Sequence, residues 1–431
     1  MQRVIWSELD AAAQTRALTR PTRRRDGEVS AVVKRIFNEV EAEGEAALTR
    51  WAETLDKRAP AALTLTCDVI DAARAKLDRA DLAALDLAVA NVTRFHEATL
   101  PRALSVDIAP GVRCTRVWRA IDSCGLYAPA GTAPLFSTLI MLAAPARVAG
   151  VAQRIAITPP GRNAAPHPMM VAAAAACGLE RLWLVGGAQA IAALTFGVVT
   201  PKAQKIFGPG NAYVAEAKRY AASLPGGPQI DVPAGPSELM VIADDSADAE
   251  VIAADLLSQA EHDTDAQVLL ATPSPALADA VARALAAQAP ALPRAAIAQA
   301  ALANARCIIV RDLAEAADAA NVYAPEHLSV QTAEPERVVE RISNAGAVFV
   351  GRWSGETFGD YVCGPSHVLP TDGAAATWSG VNAASFMKSF VVQEISRDGA
   401  AALAPAAARL ARLEGLEAHA RAADVRLPRH G

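Results

Sequence analysis

The sequence lacks the features that mark several large classes of protein. Its six cysteines form no CxxC pair, so neither a zinc ribbon nor a thioredoxin-like motif is indicated. Apart from a short run at residues 23–25, no Lys/Arg-rich block could follow a phosphate backbone, and the net charge is −5. The first residues include Arg3, Glu8 and Asp10 and contain no apolar signal core. These absences argue against a nucleic-acid partner and favour a reducing cytoplasm.

A membrane span is also not indicated. The longest uncharged stretch, residues 182–200, is interrupted by Gly186 and Gly187, which is typical of a buried strand, a glycine turn and a short helix rather than a spanning helix. With 431 residues and 52% hydrophobic content, the chain can bury a large core in two or more domains.

Short apolar runs alternate with helical patterns along the middle of the chain. Such alternation predicts parallel sheets flanked by helices, an α/β architecture. Residues 1 to about 105 and about 400 to 423 are predicted to be mostly helical. The predicted strands are 154–158, 182–185, 205–207, 239–243, 268–271, 307–310 and 347–350, and the helices between them include 169–177, 313–322 and 338–342.

Three glycine-rich turns follow predicted strands, at residues 125–134, 186–189 and 208–211. None has the GxGxxG pattern, but each can bring backbone amides close to a phosphate at a helix start. Each taken alone is equally typical of a tight structural turn. Three in one region favour a nucleotide cleft.

Glu326 and His327 stand side by side in the segment Tyr-Ala-Pro-Glu-His-Leu-Ser-Val at residues 323–330. Pro325 disfavours helical geometry at Ala324, so the pair is predicted to lie on an irregular turn rather than a regular strand. Two proton carriers on one turn suit stepwise acid/base chemistry. The alternative is a surface turn with a solvated glutamate and a capping histidine.

Several residues of metal-binding type occur in the C-terminal half. Gln259 and His262 are spaced to share one face near a helix end. A mixed amide, imidazole and carboxylate set suits Zn2+ better than Ca2+. Taken singly, each residue could equally be an ordinary polar residue of the surface or core. The further candidates are Asp360, His367 and His419, the last in a helix with Glu414 and Glu417.

Taken together, these motifs make the sequence resemble the zinc-dependent histidinol dehydrogenases, which oxidise L-histidinol to L-histidine with NAD+. The resemblance extends over essentially the whole chain. It is carried by Gly-Leu-Tyr-Ala-Pro-Ala-Gly-Thr-Ala-Pro (125–134), Val-Gly-Gly-Ala-Gln (185–189), Ile-Phe-Gly-Pro-Gly-Asn (206–211), Pro-Ala-Gly-Pro-Ser-Glu (233–238), Leu-Ser-Gln-Ala-Glu-His (257–262), Tyr-Ala-Pro-Glu-His-Leu (323–328) and His-Val-Leu-Pro-Thr (367–371).

The resemblance implies a fold of two incomplete Rossmann-like parallel-sheet domains with mainly helical terminal segments, in an intertwined homodimer with shared active sites. The implied divisions are 1–120 (helical segment and start of the first α/β domain), 121–236 (inserted NAD-binding domain), 237–380 (first domain continued, with metal and catalytic residues) and 381–431 (a tail reaching the partner's site).

The resemblance also implies roles for residues. Glu326 and His327 would be catalytic, with His327 as general base and Glu326 activating water. The other implied roles are one Zn2+ per subunit held by Gln259, His262, Asp360 and His419; NAD+ contacts from Tyr127, Gln189 and Asn211; and substrate contacts from these metal ligands together with Ser237, His327, His367 and Glu414.

Two departures from the family pattern affect no implied ligand. Ala130 stands where many members have glycine, and Ala376 where many have arginine. These two departures put the kinetic constants in doubt, but not the class of reaction.

Three alternatives remain at this stage. A paralogous dehydrogenase of another small amino- or sulfo-alcohol would keep Glu326 and His327 but need not keep His367, Glu414 and His419. A zinc hydrolase with Glu326 as base would have no use for the glycine-turn region. An inactive binding protein would need no complete set of site residues.

Overall fold

The computed structural model describes residues 1–20, 27–130, 134–161, 165–232 and 235–427. Its strands, in chain order, are β1 Gln2–Ile5, β2 Ala61–Thr64, β3 Leu104–Ala109, β4 Val112–Ala120, β5 Ser123–Tyr127, β6 Gln153–Thr158, β7 Arg181–Leu184, β8 Lys205–Phe207, β9 Gln229–Ile230, β10 Glu238–Ala243, β11 Gln267–Thr272, β12 Arg306–Ile309, β13 His327–Gln331, β14 Ala347–Val350 and β15 Met387–Ile395.

The helices alternate with these strands through the middle of the chain, which confirms the predicted α/β class. In chain order they are α1 Ala11–Ala17, α2 Gly27–Glu43, α3 Glu45–Leu55, α4 Cys67–Arg74, α5 Arg79–Ala98, α6 Phe136–Val148, α7 Pro168–Ala176, α8 Gly187–Phe196, α9 Ala212–Ser223, α10 Ala249–Ala260, α11 Pro275–Gln288, α12 Ala295–Ala303, α13 Leu313–Tyr323, α14 Pro335–Val339, α15 Glu356–Tyr361, α16 Arg397–Leu413 and α17 Glu417–Asp424.

Sheet I has six parallel strands in the order β1-β12-β11-β10-β13-β14. Its central strands β10 and β11 are buried along their whole length, because helices cover both faces of the sheet. Leu239 and Val241 pack into the core on one face, and Met240 and Ile242 into the core on the other. The N-terminal strand β1 lies at one edge, so the chain start belongs to this sheet.

Sheet II has the order β2-β7-β6-β5-β8-β9, parallel except for the antiparallel edge strand β2. Successive connections run to one side of β5 through β6 and β7, and to the other side through β8 and β9. The carboxyl ends of β5 and β8 therefore flank a topological switch point, where open α/β sheets bind their ligands. Tyr127 ends β5, and Gly208 follows β8.

Sheet III is a three-stranded antiparallel sheet in the order β15-β4-β3. It joins the segment before β5 to the segment before the C-terminal helices. The sequence patterns did not predict this sheet. The helices α16 and α17 follow it and pack against each other, as predicted for a helical tail. The predicted division at residues 120, 236 and 380 stays a prediction.

The predicted turn at Glu326 and His327 was wrong in part. Glu326 lies in a bend, but His327 is the first residue of β13 and pairs with both β10 and β14. The reason is local: Ala324 caps α13 in a left-handed conformation (φ 50°, ψ 65°), so the chain has already turned before Pro325. Strand pairing then begins one residue after Glu326.

No helix among the described residues is long and apolar enough to cross a membrane. Parts of three sequence motifs lie outside the described residues: the basic run at 23–25, residues 131–133 of the first glycine turn, and residues 233–234 of the segment before β10.

Candidate active site

The predicted acid/base pair lies where β10 and β13 begin side by side at the amino edge of sheet I. His327 pairs in register with Leu239, so the main chain of Glu238 lies directly beside Glu326 and His327. The amide of Glu238 donates a hydrogen bond to Oε2 of Glu326 (2.9 Å), and its carbonyl oxygen lies 3.0 Å from Nδ1 of His327. One residue of a neighbouring strand therefore contacts both side chains.

This contact sets the tautomer of His327. A carbonyl oxygen can only accept a hydrogen bond, so Nδ1 carries the proton and Nε2 presents a lone pair. Nε2 is buried and has no hydrogen-bond partner among the described residues. Burial lowers the pKa of His327 to about 4, with the Asp360 carboxylate acting in the opposite direction. The ring is thus neutral at pH 7, with its free nitrogen available to a substrate proton or a metal ion.

The pKa of Glu326 is shifted upward, in the opposite direction to that of His327. Its side chain is buried, and desolvation raises its pKa well above the ordinary value, although the Glu238 amide favours the ionised form. Its Oε2 lies 3.6 Å from Nδ1 of His327. In its ionised form, a carboxylate with a raised pKa is a stronger general base than an exposed one.

Further acidic and amide groups surround the pair. Glu356 Oε1 lies 3.8 Å from Nδ1 of His327, and Asp360 Oδ1 lies 3.9 Å from Nε2. Both acids stand on α15, four residues apart and so on one helix face. Gln259 is buried, and its side-chain amide lies within hydrogen-bond distance of both Nδ1 of His327 (3.0 Å) and Oε2 of Glu356 (3.1 Å). Burial raises the pKa of Glu356 well above its ordinary range.

The predicted residues His262 and His367 lie on the Asp360 side of this cluster. His367 donates from Nδ1 to the carbonyl of Asp360 (2.8 Å), and its Nε2 lies 3.2 Å from the hydroxyl of Thr138. His262 follows α10 and retains an exposed face. Partial desolvation lowers its pKa against the attraction of Asp360. Thr138 belongs to α6, so this contact links sheet I to sheet II.

Of the other predicted substrate and metal residues, Ser237 lies at the site, whereas Glu414 and His419 lie on the C-terminal tail. Ser237 directly precedes Glu238 and accepts a hydrogen bond from the amide of Gln267 through its carbonyl (3.0 Å). Glu414 ends α16 and His419 lies on α17, and both are exposed. Among the described residues, neither makes a hydrogen bond or an ion pair with the groups around His327.

The predicted NAD+ residues lie together at the carboxyl edge of sheet II. The hydroxyl of Tyr127 accepts from the amide of Gly187 (3.2 Å), and Gln189 donates to Asp56 Oδ2 (3.0 Å). Asn211 caps α9 by accepting from the amides of Tyr213 and Val214. Tyr127 and Asn211 lie beside the switch point between β5 and β8, whereas Gln189 is fully buried in the helix that follows β7.

The comparisons with known proteins agree over the whole chain. The sequence model of the family described as histidinol dehydrogenase matches residues 18–427. The chain belongs to the histidinol dehydrogenase family. It is 45% identical to histidinol dehydrogenase of Vibrio cholerae over 428 residues, covering 99% of this chain and 98% of the relative. It is 44% identical to that of Salmonella typhimurium, covering 98% and 97%.

A solved histidinol dehydrogenase has the same fold. The crystal structure of the enzyme from Elizabethkingia anophelis superposes with a TM-score of 0.94 at 37% sequence identity, covering 99% of this chain and 98% of that one. The resemblance inferred from the motifs is thereby confirmed, and with it an NAD-dependent oxidoreductase.

The residues present fit a zinc ion, the metal that the family resemblance implies. A metal ligand must offer an unprotonated donor, and His262 has a lowered pKa. Imidazole, carboxylate and amide oxygen together match a borderline divalent ion. Among the described residues, the His327, Glu356 and Asp360 donors also lie within 4.8 Å of one another. This group shares only Asp360 with the predicted ligands, and the raised pKa of Glu356 makes it the weaker candidate. The predicted ligand set stays a prediction.

Four residues of the site were not predicted from the sequence: Arg20, Asp56, Glu238 and Glu356. Glu356 had a usable signal, because an acid four residues before Asp360 shares its helix face. Glu238 is the last residue of the motif Pro-Ala-Gly-Pro-Ser-Glu at residues 233–238. No sequence signal could have predicted Arg20 or Asp56, because their partners lie more than one hundred residues away along the chain.

Proposed function

We propose that this chain oxidises L-histidinol through L-histidinal to L-histidine, with one NAD+ reduced in each of the two steps. The family assignment supports the reaction, and one observation carries the mechanism: a buried, neutral His327 whose Nδ1 is held by Glu238 and whose Nε2 is free. The six free cysteines suit the reducing cytoplasm that we propose as its location.

In the first step, His327 takes the hydroxyl proton of histidinol on Nε2 as hydride leaves the carbinol carbon for NAD+. The hydrogen bond from Nδ1 to Glu238 stabilises the charged imidazolium that forms. The product is the aldehyde, NADH and one proton, which later passes to solvent. The buried surroundings of the pair keep bulk water from the reacting carbon.

In the second step, Glu326 removes a proton from water as it adds to the aldehyde and returns a proton to the former carbonyl oxygen, giving the gem-diol. His327 then accepts a hydroxyl proton of the gem-diol while the second hydride leaves for a second NAD+. The product is the carboxylate of histidine. Glu326 transfers a proton only in this step, whereas His327 acts as the base in both steps.

Gln259, His262, Asp360 and His419 would hold the zinc ion, one per subunit. When bound, Zn2+ supplies fixed positions for the imidazole and amino nitrogens of the substrate, which turns hydride transfer into an oriented reaction. Metal analysis of the active enzyme should find about one Zn2+ per chain. An active preparation without metal would contradict this part of the proposal.

We further propose a homodimer in which His419 and Glu414 of one chain complete the site of its partner. Both are exposed here, and β3, β15 and the tail also expose large apolar side chains. Exposed apolar side chains in such number are typical of an interface. The exposed apolar residues are Leu104, Val106 and Ile108 of β3, Phe390, Val391 and Ile395 of β15, and Leu410, Leu413 and Leu416 of the tail.

Mixing two inactive variants tests the shared site. His419→Ala and His327→Ala chains are reassembled together at equal amounts, and hybrid formation is confirmed. With crossed tails, one hybrid site collects both lesions and the other none, so activity should recover to about a quarter of wild type. A tail that serves its own chain would give no recovery.

The decisive test of the function is NADH formation with L-histidinol, with and without a chelator. The proposal expects two NADH per histidine formed and loss of turnover on metal removal, restored by Zn2+. Histidinol turnover no better than that of other small amino-alcohols would favour a paralogous dehydrogenase instead.

A further inference from the structure

Arg20, in the segment after α1, connects the two strands that carry the acid/base pair. Its guanidinium forms a two-pronged ion pair with Glu238, with Nε 2.5 Å from Oε1 and an Nη nitrogen 2.9 Å from Oε2. The same Nη nitrogen donates to the carbonyls of Tyr323 (2.7 Å) and Ala324 (3.4 Å). Its central carbon lies 4.0 Å above the centre of the Tyr323 ring. One side chain thus holds the start of β10 and the segment that leads into β13.

The elements that Arg20 joins determine how Glu326 and His327 are oriented. The Glu238 amide and carbonyl are their hydrogen-bond partners, and Ala324 is the left-handed residue that turns the chain toward them. A second bond ties Glu238 in place, from the amide of Asp372 to Oε1 (2.8 Å). Displacing Glu238 relative to Ala324 would therefore change both catalytic side chains together.

The strength of this connection follows from its burial. The Glu238 side chain is 2% exposed and that of Arg20 is 20% exposed. Charge-assisted, bidentate bonds of this kind fix orientation as well as distance. Tyr323 adds a further restraint, because its buried hydroxyl donates to Gln267 (2.7 Å), whose amide nitrogen donates back to the carbonyl of Thr19 (3.3 Å).

We infer that Arg20 is a positioning residue for the proposed reaction: by joining Glu238 to the Tyr323 and Ala324 carbonyls, it keeps Nδ1 of His327 on the Glu238 carbonyl and Nε2 free. Arg20 acts on Glu326 and His327 through Glu238 and through the Tyr323 and Ala324 carbonyls. The inference rests on the proposed function for the kinetic part of its test, and on geometry alone for the spectroscopic part.

The test compares Arg20→Met and Arg20→Lys with wild-type holoenzyme. Arg20→Met should lower kcat about ten- to a hundredfold for both histidinol and histidinal, because misplacement by about 1 Å costs that much. The KM for NAD+ should stay within about twofold, since sheet II is untouched. Arg20→Lys should recover part of kcat, because an ammonium can pair with the carboxylate but cannot also hold both carbonyls in a fork.

A direct readout is the imidazole 15N spectrum of His327, assigned by its absence in His327→Asn. Wild type should show a protonated Nδ1 and an unprotonated Nε2, whereas Arg20→Met should show a mixture of tautomers. This measurement does not depend on which alcohol is the substrate, so failure of the proposed function and failure of this inference remain distinguishable.

Arg3→Met is the matched control. Arg3 also ties the N-terminal segment to the body of the protein, through an exposed ion pair with Asp279 (2.5 Å). Among the described residues, it forms no hydrogen bond or ion pair with those of the site. It should change neither kcat nor the His327 spectrum. If Arg20→Met lowers only the unfolding temperature, with kcat per folded enzyme and the His327 tautomer at wild-type values, Arg20 is structural and the inference is overturned.

Discussion

The main-chain amide of Glu238 donates a hydrogen bond to Oε2 of Glu326 over 2.9 Å. Glutamine at position 326 keeps an oxygen that can accept this bond but cannot take a proton from water. Glu326→Gln should therefore slow histidinal oxidation by about 100-fold or more, and histidinol oxidation by far less. Single-turnover NADH formation from each substrate measures the two steps. Equal losses in both steps would contradict the separate role of Glu326.

His327 should behave differently because it serves both hydride transfers. His327→Asn removes the free Nε2 while keeping a side chain that can donate to the Glu238 carbonyl. We expect both steps to fall by about 10²–10⁴-fold, the usual value of a general base. The zinc content and the unfolding temperature should remain close to wild type. Retention of the histidinol step in this variant would show that another group is the base.

The buried pair of Lys218 and Asp231 should support the NAD+ turn. The Lys218 ammonium contacts Asp231 and donates to the carbonyl of Gly208 (2.8 Å), and the amide of Gly208 donates to Asp231 (2.7 Å). Gly208 has φ 121°, and a side chain there would meet the Tyr127 carbonyl oxygen. The pair thus holds a turn that borders the switch point of sheet II.

Lys218→Met should lower the free energy of unfolding by about 3–5 kcal/mol, because it leaves a buried carboxylate without its cation. It should also raise the KM for NAD+. The double variant Lys218→Met/Asp231→Asn removes both charges and keeps an acceptor for the Gly208 amide, so it should be the more stable of the two. Urea unfolding and NAD+ titration measure both effects. A double variant less stable than the single one would refute the account.

His96 should make the protein sensitive to acid. It is fully buried in α5, neither ring nitrogen has a partner among the described residues, and burial lowers its pKa from 6.5 to about 4. Between pH 4 and pH 6.5, His96 binds a proton in the unfolded chain but not in the folded chain. Stability from this group is therefore complete above pH 6.5 and is lost as the pH falls toward 4.

The shift corresponds to about 3 kcal/mol over the whole window. Wild type should lose about 2 kcal/mol more than His96→Leu when the pH is lowered from about 7.5 to about 5, at equal protein concentration. Denaturant unfolding at the two pH values provides the comparison. Identical losses in the two proteins would show that His96 titrates normally.

The sequence by itself determined the α/β class, the family and the identity of the acid/base pair. The signals used are local: the spacing of apolar residues, the glycine turns and the segment around Glu326. Each depends on neighbours only a few residues away along the chain. Strand and helix positions such as β6, α8 and β12 were predicted for the same reason.

Only the tertiary structure decided what surrounds that pair. His327 begins a strand because β10 and β14 lie on either side of it, and its tautomer depends on the carbonyl of Glu238, 89 residues away. Arg20 reaches Glu238 across 218 residues. Such contacts have no periodicity in the sequence; they exist because sheet packing brings distant segments together in a buried place, where each polar group must find a partner.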